Sequence, residues 1–151
     1  MKTTSRFDQA VQKLYNAFHN NNLHPECAMQ CAVGNICDNK DAWKHFSDFH
    51  GSLCLNYVGR VHEGFGRRIN GYLPSELLKI EAAFLEGCGY VLPLHHSNPK
   101  PENPVDKTIL FNGLCASVSV LCELDGISNV MDTHVLFDYE RQAPLMSEAL
   151  R

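Results

Sequence analysis

The residues best placed to do chemistry are one glutamate, a set of cysteines and a histidine pair. Glu81 stands four after Leu77, three before Phe84 and seven before Cys88. On a helix those positions share a face, so Glu81 falls in the middle of an apolar stripe built from Leu77, Leu78, Phe84, Leu85 and Cys88. An isolated ionised carboxylate cannot be buried there; it must be paired, protonated or bound to a metal. Its partner is expected to be Arg67, Arg68, a histidine or a metal ion. It then serves either as half of a salt bridge between helices or as a ligand or general base.

Seven cysteines accompany it. Cys27 and Cys31 are spaced by one helical turn and Cys115 and Cys122 by two, so each pair puts two sulfurs on one side of a helix, while Cys88 lies on the apolar face of a third. If these helices converge, the thiols make soft ligands suited to zinc, copper(I) or an iron–sulfur cluster. Named motifs add little. There is no Cys-x-x-Cys pair, and Gly34 stands where a radical-enzyme cluster motif starting at Cys27 and Cys31 needs its third cysteine. Among eight histidines, His95 and His96 sit in a loop bounded by Pro93, Pro99, Pro101 and Pro104, free to point at a site. The glutamate-x-x-histidine pair of di-iron bundles is missing. For each cysteine the alternative reading is a small buried hydrophobe.

Helices must position these groups. Phe7, Ala10, Val11, Leu14, Ala17 and Phe18 recur at helical steps and predict a helix from Ser5 to Asn20. Pro25 and Glu26 open a second, with Cys27, Ala28, Cys31 and Ala32 along one side and Gly34 as its stop. A third is expected from Asp41 to Phe49, burying Ala42, Trp43, Phe46 and Phe49. The stretch Leu53 to Ile69 reads as strand or helix; Leu53, Tyr57, Val61 and Phe65 fall four apart and favour helix, although Gly59, Gly64 and Gly66 weaken it. Pro74 to Gly87 is the strongest helix, and the last runs from Val105 to Asp125 with Asp106 as its cap and Gly126 as its stop. A short element is expected at Val135 to Tyr139, with residues 141–151 fraying. The whole is read as one all-α domain over residues 1–151, a bundle of five or six helices.

At 151 residues the chain is long enough to bury a core without a disulfide or metal, and its 44% hydrophobic and 20% charged content is that of a globular protein. Seventeen acidic against thirteen basic residues give a net charge of −4, no footprint for nucleic acid. The odd cysteine number and the polar N-terminus, without a secretion signal or an eighteen-residue apolar run, point to reduced thiols, cytoplasmic residence and no membrane insertion.

The runs CAMQCAVGNICDN, HGSLCLNYVG, LEGCGYVLPLHH, NPKPENPVDK and FNGLCASVSVLCELDGISNVMD resemble a small family of bacterial proteins, chiefly from Bacteroidetes. Some of these go by the name of the NADH-oxidising component of a sodium-translocating NADH-quinone reductase. The resemblance covers nearly the whole chain and implies a bacterial, cytosolic protein. A reductase component of that kind joins a plant-type ferredoxin to a flavin- and NADH-binding module, with cluster cysteines at two-residue spacing. Cys27, Cys31 and Cys37 do not match it, so no flavin, NADH or ferredoxin-cluster residue carries over.

Three functions therefore compete. The first is a metal- or iron–sulfur-binding protein with a redox, electron-transfer or metal-handling role and a redox or protein partner. Its ligands come from Cys27, Cys31, Cys88, Cys115 and Cys122, with Glu81 tuning or ligating and His95 or His96 closing the site; iron, zinc or a cluster would suit. The second is a metal-free interaction module whose cysteines are core. The third is a thiol-dependent enzyme with a histidine activating a cysteine.

Overall fold

A computed structural model of the chain describes residues 5–92 and 97–127. His95, His96, the expected element at Val135 to Tyr139 and residues 141–151 lie outside the described residues. Within them the protein is all-α: α1 (Ser5–His19), α2 (Ala32–Ile36), a 3-10 helix (Ala42–Phe46), α3 (Tyr57–Gly64), α4 (Pro74–Gly87) and α5 (Lys107–Leu124). The only β-type pairing among the described residues is an isolated antiparallel bridge between Ile69 and Tyr72.

The centre is the pair α4 and α5. Pro74 fits the first turn of α4, where its missing N–H costs nothing, and Glu76 Oε1 accepts the Leu73 N–H at 2.9 Å. Asp106 caps α5, its Oδ1 accepting the Thr108 N–H at 2.8 Å. Buried side chains of the two helices, among them Leu77, Leu78, Phe84 and Leu85 of α4 and Leu110, Leu114, Val118 and Leu121 of α5, form one core with Phe7, Leu14 and Ala17 of α1 and Val33 and Ile36 of α2. The helices approach closely at a glycine pair. A methyl group on Gly113 would stand 2.4 Å from Cys88 Sγ and 2.9 Å from the Phe84 ring, and one on Gly87 would stand 2.8 Å from the Asn112 carbonyl. The small residues set the interaxial distance here.

By length and composition α5 could cross a membrane, but Leu110, Leu114, Val118, Leu121 and Cys122 are buried within the protein. Arg6 of α1 reaches both the end of α5 and the start of α4: its Nε donates to Asp125 Oδ1 at 2.7 Å, and one guanidinium nitrogen donates to the Gly71 carbonyl at 2.7 Å and to Glu76 Oε1 at 3.1 Å. The guanidinium also lies over the Tyr72 ring, 4.4 Å from its centre.

Four local differences from the sequence expectation matter for the site. Residues 25–30 form turns rather than a helix, and α2 begins only at Ala32. Gly34 is not a stop but sits inside α2, packed on the 28–29 backbone so tightly that a Cβ would lie 2.4 Å from the Ala28 carbonyl. The third element is a single 3-10 stretch that buries Trp43 and Phe46 but leaves Ala42 and the following Phe49 exposed. In the next segment α3 covers only residues 57–64, an N-cap from Asn56 to the Gly59 N–H (2.8 Å) starting it. Gly59 is its buried residue, pressed against the Phe46 carbonyl, while Tyr57, Val58, Val61 and the following Phe65 face outward.

Candidate metal centre

Cys31 is the N-cap of α2, and its sulfur accepts the Gly34 N–H at 3.4 Å. Asn35, one turn further on and buried, fixes this corner by donating its side-chain amide to the carbonyls of Asn22, Gln30 and Cys31 at 3.2, 2.9 and 3.1 Å. Backbone carbonyls need such partners when they turn inward, so the stretch from 22 to 31 is tied to α2 rather than extending it. The result places the Cys31 sulfur inward, in a residue with no measurable exposure.

Glu81 arrives from the middle of α4 and is 1% exposed, as its place in the apolar stripe requires. Its two oxygens are both engaged. Oε1 accepts the Val33 N–H at 3.2 Å, and Oε2 stands 2.7 Å from His50 Nε2. Of the partners expected for it, the histidine is the one found, while Arg68 turns to the Gly71 carbonyl.

His50 lies in the loop between the 3-10 helix and α3. Gly51, at φ 88°, lets the chain turn sharply after it. Ser47 donates to the Phe49 carbonyl at 3.0 Å, and the Asn56 amide donates to the His45 carbonyl at 2.9 Å, bracing the loop on both sides. The imidazole and the Trp43 ring meet edge to face, ring centres 5.7 Å apart, and the Trp43 Nε1–H donates to the Ala28 carbonyl at 3.1 Å. The His50 side chain is 20% exposed, so it stands between the buried pair and solvent.

One ligand atom from each of Cys31, His50 and Glu81 lies within 4.8 Å of the other two, the one grouping of three or more such side chains among the described residues. Burial pushes the Cys31 thiol well above its ordinary pKa, and the neighbouring Glu81 carboxylate adds to the effect. The Gly34 and Val33 N–H groups oppose that shift but are outweighed by burial and Glu81, so a thiolate here calls for a cation beside it. Gly34 N–H to sulfur and Val33 N–H to carboxylate are also the kind of outer hydrogen bonds that hold metal ligands in place.

Of the residues singled out from sequence, Cys31 and Glu81 meet here. The other named cysteines lie outside this group of three. Cys27 is half-buried in the turn before Cys31; Cys88 caps the end of α4 against Gly113; Cys115 and Cys122 are on α5, half-buried and buried. All seven cysteines are present as thiols. His50 is the ligand candidate that the sequence does not single out, since it follows a short 3-10 helix with no periodicity to point it inward.

The site adjoins an open cavity of about 380 Å³ lined by Ala28, Lys44, His45, Ser47, Asp48, Phe49, His50 and Asn56. No protein-family model, curated protein or solved structure matches the chain.

Proposed function

We propose that this is a metal-binding protein that holds a single transition-metal ion, zinc or ferrous iron, between Cys31 Sγ, an imidazole nitrogen of His50 and a carboxylate oxygen of Glu81, and that it works in metal handling or metal-dependent chemistry in the cytoplasm. The observation that carries the reading is the convergence of three chemically different ligand atoms within 4.8 Å, with Cys31 and Glu81 buried. A thiolate, an imidazole and a carboxylate are all zinc ligands, and borderline ions accept the mixture. Two ligands on one zinc ion sit about 3.3 Å apart when each bond is about 2.0–2.1 Å, so the His50–Glu81 pair would open by roughly half an ångström to admit the ion.

The donor set favours a mononuclear ion over an iron–sulfur cluster, which asks for several thiolates at one point. The same three side chains have the composition of a thiol nucleophile with its base and orienting carboxylate. A nucleophile of that kind needs a thiolate at neutral pH, and here burial and Glu81 work against it.

The test is elemental analysis of the full chain purified without a histidine tag, paired with X-ray absorption at the metal edge. About one equivalent of metal with one sulfur and otherwise nitrogen and oxygen neighbours is the expected result, and Cys31→Ser, His50→Ala and Glu81→Gln should each lower the affinity. A folded protein that takes up no zinc, iron or cobalt, or a Cys31→Ser variant with an unchanged sulfur neighbour, overturns the proposal.

A further inference from the structure

Resting on that metal site, we infer that the ion has a fourth, exchangeable coordination position that opens into the cavity beside His50, and that this position takes a small carbonyl or carboxylate compound through oxygen. The first ground is the ligand count. Structural zinc sites close with four protein ligands, whereas sites that bind substrate keep three and leave a position for water. Among the described residues the grouping stops at Cys31, His50 and Glu81.

The second ground is access. Cys31 and Glu81 are shut off from solvent, and the His50 side chain, 20% exposed, is the one of the three that reaches it. The cavity is lined by His50 and by Ala28, whose carbonyl is 3.6 Å from the Cys31 sulfur. One of the three ligand residues, His50, and one residue whose carbonyl touches the Cys31 sulfur, Ala28, therefore also line the cavity.

The third ground is the cavity itself. At about 380 Å³ it falls in the range of small-molecule pockets. A divalent ion held by a thiolate and a carboxylate is neutral overall, so it accepts water, a carbonyl or a carboxylate without strong preference for anions. The wall carries Lys44, which pairs with Asp41 at 3.0 Å, and the carboxylate of Asp48, and the Phe49 ring supplies an apolar surface. A compound with an oxygen donor at one end and a short apolar body fits that lining.

Cobalt(II) loaded into the full chain provides the test, because its visible spectrum reports ligand exchange directly. Acetate and azide are titrated as probes while bound cobalt is measured separately. A saturable spectral change at one equivalent of bound cobalt is expected, weakened at least tenfold in Ala28→Leu, which narrows the cavity, with cobalt still bound. Should Ala28→Leu fail to hold cobalt, Phe49→Ala, which widens the cavity mouth, is expected to keep cobalt and alter the probe affinity. Bound cobalt whose spectrum ignores both probes, or probe affinities unmoved by both cavity variants, overturns this inference and leaves the metal site standing. Failure of the wild-type chain to bind cobalt, zinc or iron removes the metal site and the inference with it.

Discussion

His50 Nε2 stands 2.7 Å from Glu81 Oε2 although the two residues are 31 positions apart in the chain, one in a loop and the other in mid-helix. The pair solves the problem set by a carboxylate in an apolar stripe, but it leaves each partner dependent on the other. Removing one partner of a buried polar pair strands the other, whereas replacing both by apolar groups can be neutral or stabilising. His50→Ala is expected to destabilise the metal-free protein by about 1–3 kcal/mol. The double variant His50→Phe with Glu81→Leu should recover much of that loss and bind no metal. Denaturant unfolding of the double variant and of His50→Phe and Glu81→Leu singly, with metal content, checks this; a double variant as unstable as the sum of the singles would show that the two side chains do not stabilise one another.

Metal uptake should be strongly pH-dependent. Burial and Glu81 keep the Cys31 thiol protonated through the neutral range, and a thiolate ligand must first lose that proton. Binding therefore releases a proton, and apparent zinc affinity should rise by about tenfold per pH unit while the free thiol remains protonated. Competition titrations against a chelator at several pH values measure the slope. An affinity flat with pH would exclude Cys31 as a ligand.

The fold should weaken in alkali. Burial pushes both Cys37 and Cys88 up to about 12, with Glu81 adding to the shift at Cys88. Groups whose pKa is raised by folding contribute stability that is fully present below their unfolded value, near 9, and is lost as pH rises toward the folded value. Stability is therefore expected to fall from about pH 9 upward, following the ordinary thiol range. Cys37→Ala and Cys88→Ala should each flatten that fall even where they lower stability at neutral pH. Urea midpoints between neutral pH and the onset of alkaline unfolding give the comparison; identical slopes for wild type and both variants would contradict it.

The α4–α5 contact makes a sharper demand. A Cβ on Gly113 would collide with the Cys88 sulfur and the Phe84 ring, so Gly113→Ala should cost roughly 1–3 kcal/mol despite the better helix propensity of alanine. Gly64→Ala meets nothing within 4 Å and should be close to neutral or slightly stabilising. Thermal unfolding of the two variants separates packing from propensity.

Much of the fold can be read from the residues alone, and the exceptions share a cause. The helices α4 and α5 are legible because Pro74, Gly87, Asp106 and Gly126 punctuate long apolar periodicities. Glu81 is legible as the one carboxylate inside such a stripe. The expected pairing of Cys27 with Cys31 on a helix is not correct, because the periodicity runs across a turn: the Asn35 amide gathers three carbonyls there, and the glycine at 34 lets the turn close down on α2. His50 is invisible for a related reason. Its inward aim is set by Gly51, Ser47 and Asn56, which bend a loop, and loops carry no period. Helical spacing likewise puts sulfurs on common faces without saying which faces meet, so Cys88, Cys115 and Cys122 stay with the α4–α5 pair rather than joining Cys31.

The guanidinium of Arg6 ties together three stretches that are distant in the chain: α1 itself, the turn at Gly71 and the end of α5. Such a clasp can close only when all three are already in place, since each contact spans a loop whose closure entropy must be met first. The clasp is therefore expected to form late in folding, and Arg6→Ala to speed unfolding more than it slows folding. The expected signature is a steeper loss of the native state on transfer to denaturant with a nearly unchanged refolding rate, from a residue in the first turn of the first helix.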